Sequence, residues 1–313
     1  MEICERVCYY TRDSGPRIGE LSYTKTEGIH LSYLQAIFLG VVQGIAEFLP
    51  ISSSGHLLLF QTFFHMENYE ESHMLFSVLL HFGTLVAVCV YYWRDLLEMI
   101  QEFFRGVKAL VKPEKGSSAP PPPARRMVML IVVATLPLFL ILPVKKLMES
   151  VFYNNISVSI ALLVTGCLLF FSDRMARGRK SAKNATVLDA ILVGVAQAIG
   201  TIPGISRSGI TISAGMMRGF DRKFAVRFSF LMSLPAVLGA TILELADALG
   251  GTVDPALIPK YAVGVVVSGV VGYFAIRLVN LLSDKGKFGM FSYYCWVVGL
   301  GSLIAGLVVP LFS

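Results

Sequence analysis

Hydrophobic residues run along this chain in long blocks separated by short polar loops. Six blocks, near 74–93, 127–147, 156–172, 224–247, 259–282 and 291–312, reach or approach the roughly 20 apolar residues that carry a helix across a bilayer. Pro137, Pro143 and Pro235 fall inside two of them; membrane helices tolerate such residues because neighbouring helices satisfy the freed backbone groups. Two further apolar segments, 32–66 and 186–217, are each broken in the middle by a polar turn containing Gly and Pro. Between the first two blocks, Arg94–Val111 mixes apolar and charged residues at helical spacing, which predicts a helix lying on the membrane surface. Pro120–Pro123 then reads as a stiff linker.

Charge decides how the broken segments are threaded. Arg94–Arg126, Arg174–Lys183, Arg218–Lys223 and Lys285–Lys287 are basic, while 148–155 and 249–258 hold no Lys or Arg. These loops alternate only if each broken segment enters and leaves on the same side. The prediction is an all-α polytopic membrane protein with six transmembrane helices plus two re-entrant helical hairpins, one from each side. The positive-inside rule makes the basic side cytoplasmic and puts both termini outside, although four basic residues before residue 31 count against that orientation.

Composition agrees: 55% of residues are hydrophobic, 15% are charged and the mean hydropathy is +0.66, too little charge to coat a soluble domain. The net charge of +6 would suit a nucleic-acid binder if it formed one patch. It sits in short loops instead, so no nucleic-acid partner is expected. The five cysteines lack CxxC spacing and read as packing residues rather than disulfides or a zinc site. Residues 1–31 form a polar extension without the apolar core of a signal peptide; residues 32–313 form one membrane domain.

The two breaks resemble each other. Gly40, Gln43, Ile45, Ile51, Ser52, Ser54 and Gly55 each recur 154 positions later without a gap. That match predicts an inverted-topology repeat, 32–172 (with the basic, Pro-rich loop 94–126) and 186–313. Such repeats bring half-helix N-termini, which suit an anionic group, together near the bilayer midplane. Glu47, His56 and Arg207 are ionisable at membrane depth, where such groups are costly and usually functional. Arg207, between Ser206 and Ser208, suits a phosphate, since a guanidinium can take two oxygens at once. His56, facing Arg207 across the repeat, is a candidate proton donor or nucleophile. Gln43 and Glu47 share a helix face and, with the Ser52–Ser54 turn, are candidate oxygen ligands for a divalent metal. His81, inside the first block, is expected to pack or to support the site from behind.

The stretch Gln43-Gly-Ile-Ala-Glu47-Phe-Leu-Pro50-Ile-Ser-Ser-Ser-Gly-His56, with Pro203-Gly-Ile-Ser206-Arg207-Ser208-Gly209, resembles the two signatures of the bacterial undecaprenyl-diphosphate phosphatases, also called bacitracin-resistance proteins. The resemblance runs from about residue 32 to the C-terminus. It implies a multi-pass enzyme of the bacterial cell membrane that hydrolyses the lipid undecaprenyl diphosphate to undecaprenyl phosphate and inorganic phosphate. That reaction recycles the carrier for peptidoglycan synthesis and relieves bacitracin. It further implies dependence on Mg2+ or Ca2+, a site opening outward, Glu47 as the essential acid, Ser53 or His56 as nucleophile and Arg207 as phosphate clamp. Ser54, Ser206, Ser208 and Thr211 would then be supporting phosphate donors. Gln43 stands where the family often has Glu, which weakens the metal site. Oligomeric state stays open, a homodimer included. The rival reading is a transporter or flippase of prenyl phosphates; transport needs phosphate binding but no nucleophile, so the Glu–Ser–His–Arg set favours an enzyme.

Overall fold

The computed structural model describes residues 31–63, 69–111, 121–152, 154–248 and 255–308. The extension before Leu31, His65 and the last residues of the sixth apolar block lie outside them. The described residues form twelve α-helices and no sheet: α1 Tyr33–Phe48, α2 Ser53–Phe63, α3 Tyr69–Tyr91, α4 Trp93–Val111, α5 Pro123–Ile141, α6 Lys145–Phe152, α7 Asn155–Met175, α8 Val187–Ile199, α9 Arg207–Met217, α10 Arg222–Ala248, α11 Ile258–Asp284 and α12 Met290–Val308. Five of them are long and apolar enough to cross a membrane. A sixth span is reached if Leu75–Tyr91 and Trp93–Ala109, bent by 82° at Tyr92, count together.

Two boundaries differ from the sequence expectation. The block at 127–147 does not run through as one helix: α5 ends at Ile141, and Pro143 lies in the 3-10 turn Leu142–Val144. At the other end Pro123 is not linker but the first residue of α5, where its missing N–H costs nothing. The bend after α3 matches the change in pattern at Arg94. Trp93, Leu97, Ile100, Phe104 and Val107 of α4 are exposed along one stripe, while Arg125 ties Glu102 back to α5.

Local signals start the two broken segments in the same way. Ser32 caps α1 in a capping box with Gln35, and Thr186 caps α8 in one with Asp189; these pairs too are 154 residues apart. Both boxes satisfy helix-end amides reciprocally. Each segment then turns back on itself. Phe38 of α1 meets Phe60 of α2 edge-on at 5.3 Å, and Arg218 at the end of α9 donates to Asp189 in the first turn of α8 at 3.0 Å. Asp189 is fully buried and also takes Lys180 Nζ at 2.8 Å. The basic loops gather at this end: Arg126 donates to the Ala185 carbonyl, Arg222 pairs with Asp173 and Lys223 with Asp284.

The segments pack crosswise. α1 lies against α11, and α8 lies against α5. Repeat-equivalent glycines permit both approaches: a Cβ on Gly40 would stand 2.8 Å from the Gly264 carbonyl, and one on Gly194 would run into the Ala134 backbone. Gly194→Val is therefore expected to destabilise the fold by about 1–3 kcal/mol through overpacking, read as a lower unfolding midpoint in detergent; an unchanged midpoint would refute the close-contact reading. A large apolar core between α10, α5 and α7, including Phe220, Phe228, Met232 and Leu169, sets the spacing of the bundle.

Candidate active site

The two breaks meet. The first forms because Leu49 and Pro50 stop α1: the residue before a proline is pushed out of helical geometry, and Pro50 has no N–H to continue the ladder. Ser52 then takes a left-handed backbone (φ 73°) while 2% exposed, the kind of local strain that concentrates at functional sites. Its Oγ accepts from the Gly55 N–H at 3.2 Å, and its carbonyl takes both the His56 N–H at 3.2 Å and His56 Nδ1 at 2.8 Å. The second break ends α8 at Gly200 and restarts at Ser206, whose Oγ caps α9 on the Gly209 N–H at 3.1 Å. Gly204 between them adopts φ 86° and backs so closely on Val158 of α7 that a Cβ would come within 2.8 Å. Ser54 Oγ accepts from the Gly204 N–H at 3.3 Å, joining break to break.

Between them lies a cavity of about 140 Å³ lined by Ala46, Glu47, Ser52–Ser54, His81, Gly200, Thr201, Ile205, Ser206 and Arg207. Glu47 is its hub, with a side chain only 5% exposed. Oε1 pairs with Arg207 of the other break. Oε2 accepts from Ser53 Oγ at 3.0 Å and from Gln43 Nε2 at 3.0 Å. Charge-assisted bonds of this kind are stronger than neutral ones. They hold a hydroxyl, a carboxylate and a guanidinium, drawn from α2, α1 and α9, around one small space. The N-termini of α2 and α9 both reach that space, and first-turn amides have no acceptor within their own helix.

Of the residues expected at the site, Glu47, Ser53, Ser54, Ser206 and Arg207 line the cavity. Gln43 is wholly buried behind Glu47. The structure does not bring the other three to it. Ser208 Oγ turns to Ser206 Oγ at 3.3 Å and the Leu49 carbonyl at 3.4 Å. Thr211, one turn into α9, bonds to Ser229 of α10 at 2.6 Å. His56 has both ring nitrogens engaged elsewhere, Nδ1 on the Ser52 carbonyl and Nε2 on the Tyr294 hydroxyl of α12 at 2.7 Å. His81 comes forward in its place: its Nδ1 lies 2.9 Å from Gln43 Nε2 and 3.4 Å from Glu47 Oε2. The clue was already in the sequence, since an ionisable residue within an apolar span is itself a sign of function.

Glu47 and the unpartnered Gln43 Oε1 would hold a divalent metal only with water and substrate phosphate oxygens completing its shell. Among the described residues no three His, Cys, Asp or Glu side chains gather as ligands. Glu47 already serves Arg207, Ser53 and Gln43, and Gln43 turns its amide nitrogen toward it. Mg2+ and Ca2+ want six or more oxygens. Two larger apolar hollows, of about 460 Å³ beside Val86 and Val265 and about 530 Å³ beside Leu163 and Phe171, offer no comparable polar groups.

Over most of its length the chain is similar to known proteins. The chain is 37% identical over 278 residues to an undecaprenyl-diphosphatase of Carboxydothermus hydrogenoformans, covering 88% of this chain and 97% of that protein. It is 40% identical over 271 residues to one from Alkaliphilus metalliredigens, covering 86% and 97%, and 36% identical over 292 residues to one from Methanosphaera stadtmanae, covering 89% and 100%. The family profile described as bacitracin resistance protein BacA matches residues 36–301, a stretch that holds every residue of the cavity, and the chain belongs to that family.

Proposed function

We propose that this multi-pass membrane protein removes the terminal phosphate of undecaprenyl diphosphate at the meeting point of its two breaks, with Ser53 as nucleophile, Glu47 as its base and Arg207 as phosphate clamp. Undecaprenyl-diphosphatase is the activity of its relatives. One observation carries the residue roles: a single carboxylate holds the Ser53 hydroxyl on one oxygen and the Arg207 guanidinium on the other. A phosphoryl bound by Arg207 is thereby set beside Ser53 Oγ. In the first step Oγ bonds to the terminal phosphorus and the bridging P–O bond breaks, releasing undecaprenyl phosphate. The Ser53 proton passes by way of Glu47 to the departing oxygen. Water then attacks the phosphoserine, giving its proton to Glu47, which returns one to Ser53 as the P–Oγ bond breaks. Arg207 and the half-helix amides stabilise the charge spread over the transferring phosphoryl, where most of the rate of such reactions arises. A divalent cation arriving on the diphosphate would be carried largely by substrate oxygens. His56, fastened to the Ser52 carbonyl, holds the left-handed turn that presents Ser53.

The same reading places the hairpins α1–α2 and α8–α9 as re-entrant elements of an inverted-topology repeat, entering from opposite sides with the basic end cytoplasmic and the termini outside. Their crosswise packing and the return of α9 to the start of α8 support it. The prenyl chain would remain in lipid while its head group enters the cavity. Purified protein in detergent is expected to release inorganic phosphate from undecaprenyl diphosphate. Tight binding without release would point to a prenyl-phosphate transporter instead.

A further inference from the structure

Glu47 faces two competing demands. Arg207 draws on Oε1, and a guanidinium prefers to take both oxygens of a carboxylate in parallel. If it did so here, a third donor would compete with Ser53 and Gln43 for Oε2. Something must hold Oε2 in place, and the structure supplies it from α3. Gln43 Nε2 has two hydrogens to give, and it lies 3.0 Å from Glu47 Oε2 and 2.9 Å from His81 Nδ1. An amide nitrogen only donates, so His81 Nδ1 accepts and the ring carries its hydrogen on Nε2. The imidazole thus anchors the amide, and the amide anchors the oxygen that serves Ser53. α3 is a firm base for this link: the Thr84 hydroxyl donates to the His81 carbonyl at 2.7 Å, and Gly83 packs directly on Ser268 and Val265 of α11.

We infer that His81 is a positioning residue of the diphosphatase reaction, acting through Gln43 to keep Glu47 Oε2 on Ser53 and the Glu47–Arg207 pair single-pronged. This rests on the reading of Ser53 as nucleophile and Glu47 as base. It requires a hydrogen-bond acceptor at position 81, not a proton donor.

The test measures kcat and KM for phosphate release from undecaprenyl diphosphate by purified protein in detergent. His81→Ala should lower kcat about 10–100-fold, the scale of a misplaced reacting group, with KM little changed. His81→Asn and His81→Gln supply a neutral acceptor, and the better of them should recover most of the rate. In a Ser53→Ala background, His81→Ala should cost nothing further. A wild-type kcat in His81→Ala, amide variants as slow as alanine, or an equal further loss on the Ser53→Ala background would each overturn the role. A Ser53→Ala protein as fast as wild type would overturn the parent reading, and the positioning role with it, and is distinguishable because it appears with His81 intact.

Discussion

Ser53→Ala is expected to lower kcat for phosphate release by about 10³-fold or more, the scale seen when a nucleophile acting as part of a unit is removed. The substitution deletes one oxygen, which in the structure bonds Glu47 Oε2 at 3.0 Å. Arg207 and the helix N-termini stay in place, so substrate should still bind and KM should move far less than kcat. Substrate labelled in its terminal phosphate, quenched with acid during turnover, should leave label on Ser53 in the wild type and none on the variant. Label on His56 would transfer the nucleophile to a residue whose two ring nitrogens the structure ties to Ser52 and Tyr294. Near-wild-type turnover by Ser53→Ala would mean that Glu47 activates water directly.

Arg207→Ala is expected to cost as much or more, and in both kcat and KM. A cation on a transferring phosphoryl contributes about 10³- to 10⁵-fold where it has been measured in other phosphoryl-transfer enzymes. Here the same side chain also balances the 5%-exposed Glu47, so its loss leaves a buried charge without its partner. Arg207→Lys keeps the charge but loses the planar fork that takes two oxygens at once, and should fall between alanine and wild type. Because the ion pair joins the two breaks, stability must be separated from chemistry. The double variant Glu47→Gln, Arg207→Ala removes both charges and should elute as a well-folded protein while staying inactive. A folded Arg207→Ala protein with wild-type kcat/KM would remove Arg207 from the site.

Much of this was legible along the chain because the signals are local or repeat. Crossing a bilayer needs an apolar run of about 20 residues, so five of the six spans could be read directly, apart from ends such as Ile141 and Pro123 where a proline decides the boundary. The gapless match between Gly40–Gly55 and Gly194–Gly209 marked two segments of one design. The cost of placing Glu47 and Arg207 in an apolar setting marked them as candidates before any contact between them was known.

Which faces meet was decided only by the tertiary structure. From sequence, His56 stood closest to Ser53 and His81 was expected only to pack or to support the site from behind, yet packing turns His56 toward α12 and brings His81 to Glu47. Thr211 shares a motif with Arg207 but is taken by Ser229 of α10. These outcomes follow from how α1, α3, α9 and α12 are rotated and pressed together, through contacts such as Gly40 on Gly264 and Gly83 on Ser268. A helix pattern repeats every 3.6 residues and says which residues share a face. It does not say which helix, 38 or 160 residues away, that face will meet.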